Sequence, residues 1–197
     1  MDRLRGVVGE GALSGVDVHG FVDERGHRRA VDRYLIGWLL GAVPGGELGL
    51  GLDLALWGAL ARGERPEVGW RGGVGSLQDW GEVSGGLASI EVWTERELSA
   101  IQALWTLGVV LGESGWCERS EAAARWCVLE LQPDNATGHP WGLNAFVCLS
   151  CGGDVEAEMY AQTLLHNACV GLGRPGRFSS LVLLGSLRSL ELTGRGC

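Results

Sequence analysis

Apolar residues recur at helical spacing along most of this chain, and the clearest pattern lies between residues 94 and 111. Thr94 and Glu97 have the spacing of a capping box, in which the hydroxyl and the carboxylate each bind a free amide of the first turn. We therefore predict that a helix begins at residue 95. Two adjacent apolar stripes indicate that most of its circumference is buried. The stripes consist of Leu98, Ile101, Trp105 and Val109, and of Ala100, Leu104, Leu107 and Leu111.

The same spacing, together with start and stop signals, predicts the other helices. They lie at about residues 28–42, 48–62, 117–131, 140–151, 155–172 and 177–192. Pro140 fits a first helical turn, and Asp154 fits the N-cap of the helix that follows. Short turns join the later helices. The sequence thus predicts an all-α fold of six or seven helices, with the last five stacked as consecutive antiparallel hairpins.

Residues 63–93 resist assignment, because they hold eight glycines and three tryptophans without a clear period. A connection of this length is uncommon inside a compact domain. It is therefore functional, mobile, or hides a short helix near 76–80 and a short strand near 88–93. Its glycines complete neither GxGxxG nor GxxxxGK, which argues against a phosphate-binding loop.

The pattern suggests two regions packed as one globular unit. Residues 1–93 form an N-terminal helical pair with the long Gly- and Trp-rich loop, and residues 94–197 form the helical hairpins. The first 27 residues fit a small β-hairpin or an ordered arm equally well. Most of the tryptophans are expected to be core anchors, since they occur about once per element.

The second region resembles a tetratricopeptide-repeat protein. The stretch LWTLGVVLGESGW and then EAAARWCVLELQPDNA is similar to one repeat, with Leu107-Gly108 on its first helix, Gly115 at its turn and a closing segment at 128–135. A second unit would run from Trp141 to Leu172. The resemblance covers about half of the chain and implies a short solenoid of helical hairpins.

Three features depart from the repeat pattern. The first unit has an extra residue between its turn glycine and its proline, Pro140 falls where a repeat helix should already be under way, and the second unit ends in Gly173-Arg174-Pro175. An α/α toroid, which also stacks helical hairpins, is the alternative architecture.

The hairpin between Asn135 and Gly173 is nearly free of charge, since its carboxylates are confined to residues 154–158 and it has no arginine. A helix with one side in water should carry charge there, so we predict that this hairpin is covered on both sides. One side is a core stripe. Its residues are Ala157, Ala161, Leu164, Ala168 and Leu172.

The other side of that helix is half-polar, and it supplies most of the candidate binding residues. It could pack on flanking hairpins with His166 as a hydrogen-bonded core histidine, line a concave groove, or form an interface with a partner or a second copy. The candidate binding residues are Met159, Gln162, Thr163 and His166, together with Asn144 and Tyr160.

Composition and charge exclude several classes of function. The net charge of -8 argues against nucleic acid or anionic membrane as the main partner. All sixteen cationic residues are arginine, which excludes lysine Schiff-base chemistry, pyridoxal phosphate attachment and a Walker A loop. The N-terminal residues have no apolar signal-peptide core, and no apolar run is long enough for a membrane span, so we expect a cytoplasmic protein.

A zinc site is the main metal alternative, since Cys148, Cys151, His166 and Cys169 include the spacings of a four-ligand set. In the predicted hairpin, however, Cys151 lies beside the turn, whereas His166 and Cys169 lie roughly 18–24 Å away along the second helix. The hairpin and the zinc site exclude each other. We therefore predict neither a metal nor a cofactor.

The predicted function is a non-enzymatic protein-protein interaction or assembly module that self-associates or binds a partner through uncharged helical faces. The alternative is a small α/α-toroid-like enzyme that acts on a polysaccharide or another small polar substrate, with His166 as its acid/base. Histidine, tyrosine and asparagine are suited to such chemistry. The position of His166 distinguishes the two, because an enzyme needs it in a cleft with Tyr160 or Asn144.

Overall fold

A computed structural model describes residues 13–45, 51–67, 75–78, 89–131 and 138–194. These residues hold seven α-helices and no β-strand, which confirms the all-α class. None of these helices is both long and apolar enough to cross a membrane. The helices are α1 (Asp32–Leu40), α2 (Leu52–Arg62), α3 (Ile90–Leu111), α4 (Ser114–Glu130), α5 (Leu143–Cys151), α6 (Val155–Cys169) and α7 (Arg177–Leu192).

The bounds of the last two helices are close to those predicted. α7 spans Arg177–Leu192, and α6 begins directly after Asp154. The Asp154 carboxylate accepts a hydrogen bond of 3.0 Å from the Ala157 amide, so it caps α6 as its position in the sequence indicated.

The start of α3 was predicted wrongly. The helix begins at Ile90, five residues before the predicted position, and residues 90–93 are helical where a strand was considered. Thr94 is therefore buried inside the helix and caps nothing. The Glu97 carboxylate accepts hydrogen bonds from the backbone amides of Leu77 and Gln78 instead. The Glu97 side chain, which the capping box required, is thus engaged in a tertiary contact with residues 75–78.

The described part of the long loop is held by two charged side chains. Besides Glu97, Arg119 of α4 donates to the carbonyl oxygens of Gly75 at 3.0 Å and Ser76 at 2.7 Å. This segment is in a bend and is not helical at residues 76–78. Trp70, Trp80 and the remainder of the loop at 68–74 and 79–88 lie outside the described residues.

α3 is the central helix of the bundle, because it packs against α2, α4, α5 and α7. The pairs α3–α4 and α5–α6 are hairpins, and α4 also contacts α5 and α6. α7 has its main contacts with α1, α3 and α5. In a solenoid each repeat contacts only its neighbours, so the contact between α7 and α1 departs from that pattern. The tetratricopeptide-like solenoid is not confirmed and stays a prediction.

The α3–α4 hairpin is packed closely at Gly108. A Cβ atom at this position would lie 2.7 Å from the Cys117 sulfur and 3.0 Å from the Cys117 backbone nitrogen. Gly112 ends α3 in the left-handed conformation, with φ 72°. Gly108 is therefore required at this position, because α3 and α4 lie too close together for a larger side chain.

Aromatic rings join the two halves of the sequence in one core. The ring of Trp57 lies 6.2 Å from that of Trp38 and 5.8 Å from that of Trp141, and Trp141 contacts Phe178 at 5.6 Å. The Trp57 indole N–H donates to the Ser99 hydroxyl at 3.0 Å, which satisfies its polar atom inside the core. Trp57, Trp93, Trp105 and Trp141 are fully buried, as expected for core anchors.

Candidate functional site

α6 presents a row of uncharged side chains to solvent along its whole length. This row, here called the α6 face, consists of Val155, Met159, Gln162, His166 and Val170. Its three apolar members are more than half exposed, with 65% for Val155, 59% for Met159 and 68% for Val170. The opposite side of α6 is buried in the bundle, as predicted. Its residues are Ala157, Ala161, Leu164 and Ala168.

Four of the six predicted binding residues lie together on or beside the α6 face. The Gln162 amide donates to the Glu158 carboxylate at 3.0 Å, and the Thr163 hydroxyl donates to the Met159 carbonyl at 3.0 Å. His166 is exposed one turn further on. No side chain among the described residues covers the row, although we predicted that the hairpin would be covered on both sides.

Leu172 was predicted to belong to the core stripe of this hairpin, and this prediction was wrong. Its side chain is 55% exposed. α6 ends at Cys169, so residue 172 lies in the following turn and no longer continues the helical stripe.

Asn144 is not part of the α6 face, because it is buried between α3 and α7. Its amide nitrogen lies 3.2 Å from the Ser189 hydroxyl and 3.3 Å from the Thr106 hydroxyl, and its amide oxygen accepts from the Ala145 amide. Gln102 extends the same network by donating to the Val182 carbonyl at 3.1 Å. These bonds satisfy polar groups inside the core, so Asn144 holds helices together there.

Tyr160 also lies on the buried side of α6. Its ring stacks on that of Phe146 in α5, with 4.4 Å between centroids and 12° between planes. This contact fixes α6 against α5. The structure therefore separates Tyr160 and Asn144 from His166.

A second candidate site is a cavity of about 500 Å³ beside Arg29 and His139. Its lining comes from the segment before α1, from α3, from the turn before α5 and from α6 and α7. Most of the side chains are polar or charged. They include Asp23, Glu24, Arg25, His27, Arg29, Glu91, Glu95, His139, Asn167 and Ser179.

Arg29 is the centre of the polar cluster in this cavity. Its guanidinium donates to the Asp23 carboxylate at 2.8 Å, lies 2.9 Å from Nε2 of His139, and stacks over the Phe178 ring at 4.1 Å. Nδ1 of His139 lies 2.9 Å from the Ser179 hydroxyl. Three segments that are distant in sequence thus meet at one arginine.

The hydrogen bonds define the protonation state of His139. The Ser179 hydroxyl donates to the Gly138 carbonyl at 3.3 Å, so its oxygen accepts the proton of His139 Nδ1. Nε2 then accepts from Arg29, which is always charged. Burial lowers the pKa of His139, and the positive charge of Arg29 lowers it further, to about 4. His139 is therefore a neutral, fixed imidazole with both nitrogens occupied.

The carboxylates of the cavity are also engaged. Burial raises the pKa of Asp23, but the hydrogen bonds from Arg29 and from the amides of His27 and Arg25 outweigh it and lower the pKa to about 2. Glu24 accepts from the Arg177 amide at the start of α7 at 2.9 Å. Burial raises the pKa of Glu95, against the opposing effect of the Trp141 indole N–H.

Sequence reasoning missed this cluster as a unit. Neither His139 nor Arg29 was among the predicted site residues. Asp23 forms a turn before Arg29, because its carboxylate accepts from the His27 amide at 2.8 Å. No local signal links the turn to His139, which lies 110 residues after Arg29.

Metal ligation was weighed for Cys148, Cys151, His166 and Cys169. In the described ranges, no three His, Cys, Asp or Glu side chains are grouped closely enough to hold a metal ion. Cys148 is half-buried at α5, where its sulfur lies 3.3 Å from the Glu121 carboxylate. His166 points away from the bundle on the α6 face.

Comparisons with protein-family models, with curated proteins and with solved structures found no match to this chain. The function must therefore be inferred from the α6 face and the Arg29 cavity themselves.

Proposed function

We propose that the chain is a non-enzymatic protein-protein interaction module and that its docking site is the α6 face. The observation that carries this proposal is the row of three exposed apolar side chains on a helix without charge over residues 159–169. Exposed apolar side chains that form a row favour a protein partner, whereas single ones are common on any surface.

The spacing of the row suits recognition by another helix. Val155, Met159, Gln162 and His166 follow each other at intervals of four, three and four residues. This is the spacing with which one helix side packs against a partner helix. Burial of the apolar members against a partner would stabilise the complex by about 25 cal/mol for each Å² of apolar surface removed from water.

The rest of the bundle supports α6 as a firm platform. α6 packs on α5 and α4, and the Phe146–Tyr160 stack fixes its rotation. We infer that the hairpins α3–α4 and α5–α6 form a repeat-like pair, which would leave the last helix of the pair at its open edge. A platform of this kind docks a partner with little loss of its own conformational entropy.

The enzymatic alternative has less support. His166 is exposed, whereas Tyr160 and Asn144 are buried, so these three side chains do not form one acid/base site. The Arg29 cavity has a better arrangement of polar groups, but both nitrogens of His139 are already hydrogen-bonded. A general base needs a free lone pair directed at its substrate.

Site-specific photo-cross-linking in the cells of origin tests the proposal. p-Benzoylphenylalanine at Met159 should give discrete cross-linked species, because this side chain is 59% exposed and is the apolar member of the α6 face nearest to its centre. The matched control is the same group at Glu67, an exposed residue in the segment after α2 that does not belong to the α6 face. The same weak pattern of adducts at both positions would refute the α6 face as a docking site.

A further inference from the structure

The N-terminal end of the α6 face is acidic. Glu156 and Glu158 are both exposed in the first turn of α6. Asp154 precedes them and keeps its negative charge while it serves as the N-cap, so it adds to the acidic end. The following residues, 159–173, contain no aspartate, glutamate or arginine.

The C-terminal end of the same face is basic. Arg174 is exposed shortly after the end of α6. Arg25 is exposed beside the same turn, since its guanidinium would lie 3.2 Å from a Cβ atom at Gly171. Glu24, whose carboxylate accepts from the Arg177 amide, is also near this end, so Arg25 and Arg174 leave it with an excess of positive charge. The face is therefore acidic at one end, uncharged in the middle and basic at the other end.

This charge pattern is complementary to itself when one copy is reversed. We propose, as a refinement that rests on the proposed function, that the α6 face binds the α6 face of a second copy in antiparallel orientation. The acidic end of each copy then meets the basic end of the other. A closed two-fold dimer of this kind has two equivalent acidic-to-basic contacts.

The charged ends define the register of the pair. Glu158 lies opposite Val170 of the other copy, next to the glycine that Arg25 approaches, when the two-fold axis passes midway between Gln162 and His166. Gln162 then lies opposite His166 of the other copy.

A parallel pair is disfavoured, because it would place Glu156 and Glu158 of both copies side by side. Local complementarity is needed here, since each copy carries a net charge of -8 and two copies repel each other over longer distances. One helix pair gives an interface at the small end of the specific range, about 1,200 Å² in total. Area alone does not set affinity, but even larger interfaces can be as weak as micromolar, so a reversible dimer of about micromolar strength is expected.

Charge reversal tests the antiparallel dimer. One variant carries Glu156→Arg and Glu158→Arg, and the other carries Arg25→Glu and Arg174→Glu. Each alone brings like charges together at both ends and should weaken the dimer at least about tenfold, since several exposed ion pairs are lost and replaced by repulsion. Sedimentation equilibrium of each variant measures the dissociation constant.

The mixture of the two variants is the decisive arm. Each end of one variant then meets an opposite charge on the other, so the equimolar mixture should recover the dissociation constant of the parent chain. Recovery also shows that both variants are folded. The matched control, Glu67→Arg with Glu130→Arg, changes the net charge by the same amount as the first variant at exposed residues that belong neither to the α6 face nor to its charged ends, and it should leave dimerisation unchanged within about twofold.

Three results would overturn the inference: a parent chain that stays monomeric, a dimer that neither double reversal weakens, or a mixture that does not recover. Cross-links from residue 159 to a different protein, together with a monomeric parent, would refute the second copy and leave the proposed function standing. Absence of cross-links to any protein would refute both.

Discussion

Arg29 and His139 connect three parts of the chain that are far apart in sequence. The guanidinium binds Asp23, whose side chain is only 3% exposed, and it contacts His139 and the Phe178 ring. Arg29 is important for stability mainly because the buried Asp23 carboxylate would have no counter-ion without it. Its role in this bundle is to hold the segment before α1 against α7.

Replacement of Arg29 should therefore destabilise the chain strongly. Arg29→Ala is expected to lower the free energy of unfolding by about 3 kcal/mol, because Asp23 and His139 both lose a partner in a mostly buried site. Urea unfolding followed by circular dichroism measures the change. Arg28→Ala is the control, since Arg28 is exposed and its guanidinium donates to the His19 carbonyl and not to Asp23 or His139 in the described structure. Equal effects of the two substitutions would contradict the assigned role of Arg29.

The pKa of His139 predicts how stability depends on pH. Burial and Arg29 lower this pKa from 6.5 to about 4 in the folded chain, so the unfolded chain binds more protons between these values. The contribution of His139 to stability is therefore complete above pH 6.5 and is lost as the pH falls towards 4. NMR titration of the His139 ring should give a pKa below 5. A value near 6.5 would show that the imidazole is not fixed between Arg29 and Ser179.

At the scale of elements, α3 shows how a tertiary contact overrides a local signal. Thr94 and Glu97 have the spacing of a capping box, yet the helix begins at Ile90 and Glu97 binds residues 77 and 78. The Thr94 hydroxyl is buried and has no hydrogen-bond partner among the described residues. The sequence around Thr94 does not indicate that residues 77 and 78 of the loop lie next to Glu97.

The substitution Thr94→Val distinguishes a helix α3 that begins at Ile90 from one that begins after Thr94 as its N-cap. Removal of an unpaired buried hydroxyl by a residue of the same shape should leave the free energy of unfolding unchanged within about 0.5 kcal/mol, or raise it. Loss of a true N-cap would cost about 1 kcal/mol. Differential scanning calorimetry of the variant and the parent chain measures the change in stability. A clear loss of stability would indicate that Thr94 is the N-cap of α3.

The α3–α4 hairpin gives a second test at this scale. Gly108→Ala should destabilise the chain by about 2 kcal/mol, because the added methyl group meets the backbone of α4 and forces the helices apart. Gly115→Ala is the matched control, since a Cβ at Gly115 has no heavy atom within 4 Å. Chemical denaturation of the two variants measures the difference, and a neutral Gly108→Ala would show that the hairpin is looser than described.

At the scale of the whole molecule, the sequence predicts the helices, whereas the predicted stacking of the hairpins as a solenoid is not confirmed. Residues with helical periodicity and clear end signals, such as Asp154 before α6, define an element locally. The contacts of α7 with α1 and α3 depend on which apolar surfaces meet, and many helices of this chain have apolar residues on most sides. The sequence pattern therefore predicts consecutive hairpins and contains no signal for the contacts of α7 with α1 and α3.

The choice of candidate binding residues rests on a local property of the sequence. Charge is depleted along residues 159–173, and this depletion drew attention to Met159, Gln162, Thr163 and His166. It also led to the prediction that both sides of the hairpin are covered, whereas the structure leaves the row exposed. Asn144 and Tyr160 were included because of their chemistry, and only the packing of α5 against α6 and α3 shows them to be buried.

The most direct test of the account is the mass of the chain in solution across a dilution series, measured by sedimentation equilibrium alongside Met159→Glu. Burial of the apolar row predicts a reversible dimer of the 20.9 kDa chain at micromolar concentration. The substitution should abolish it, because it places a carboxylate beside the apolar residues of the α6 face without touching the core. A chain that remains at 20.9 kDa at every concentration would contradict assembly through the α6 face.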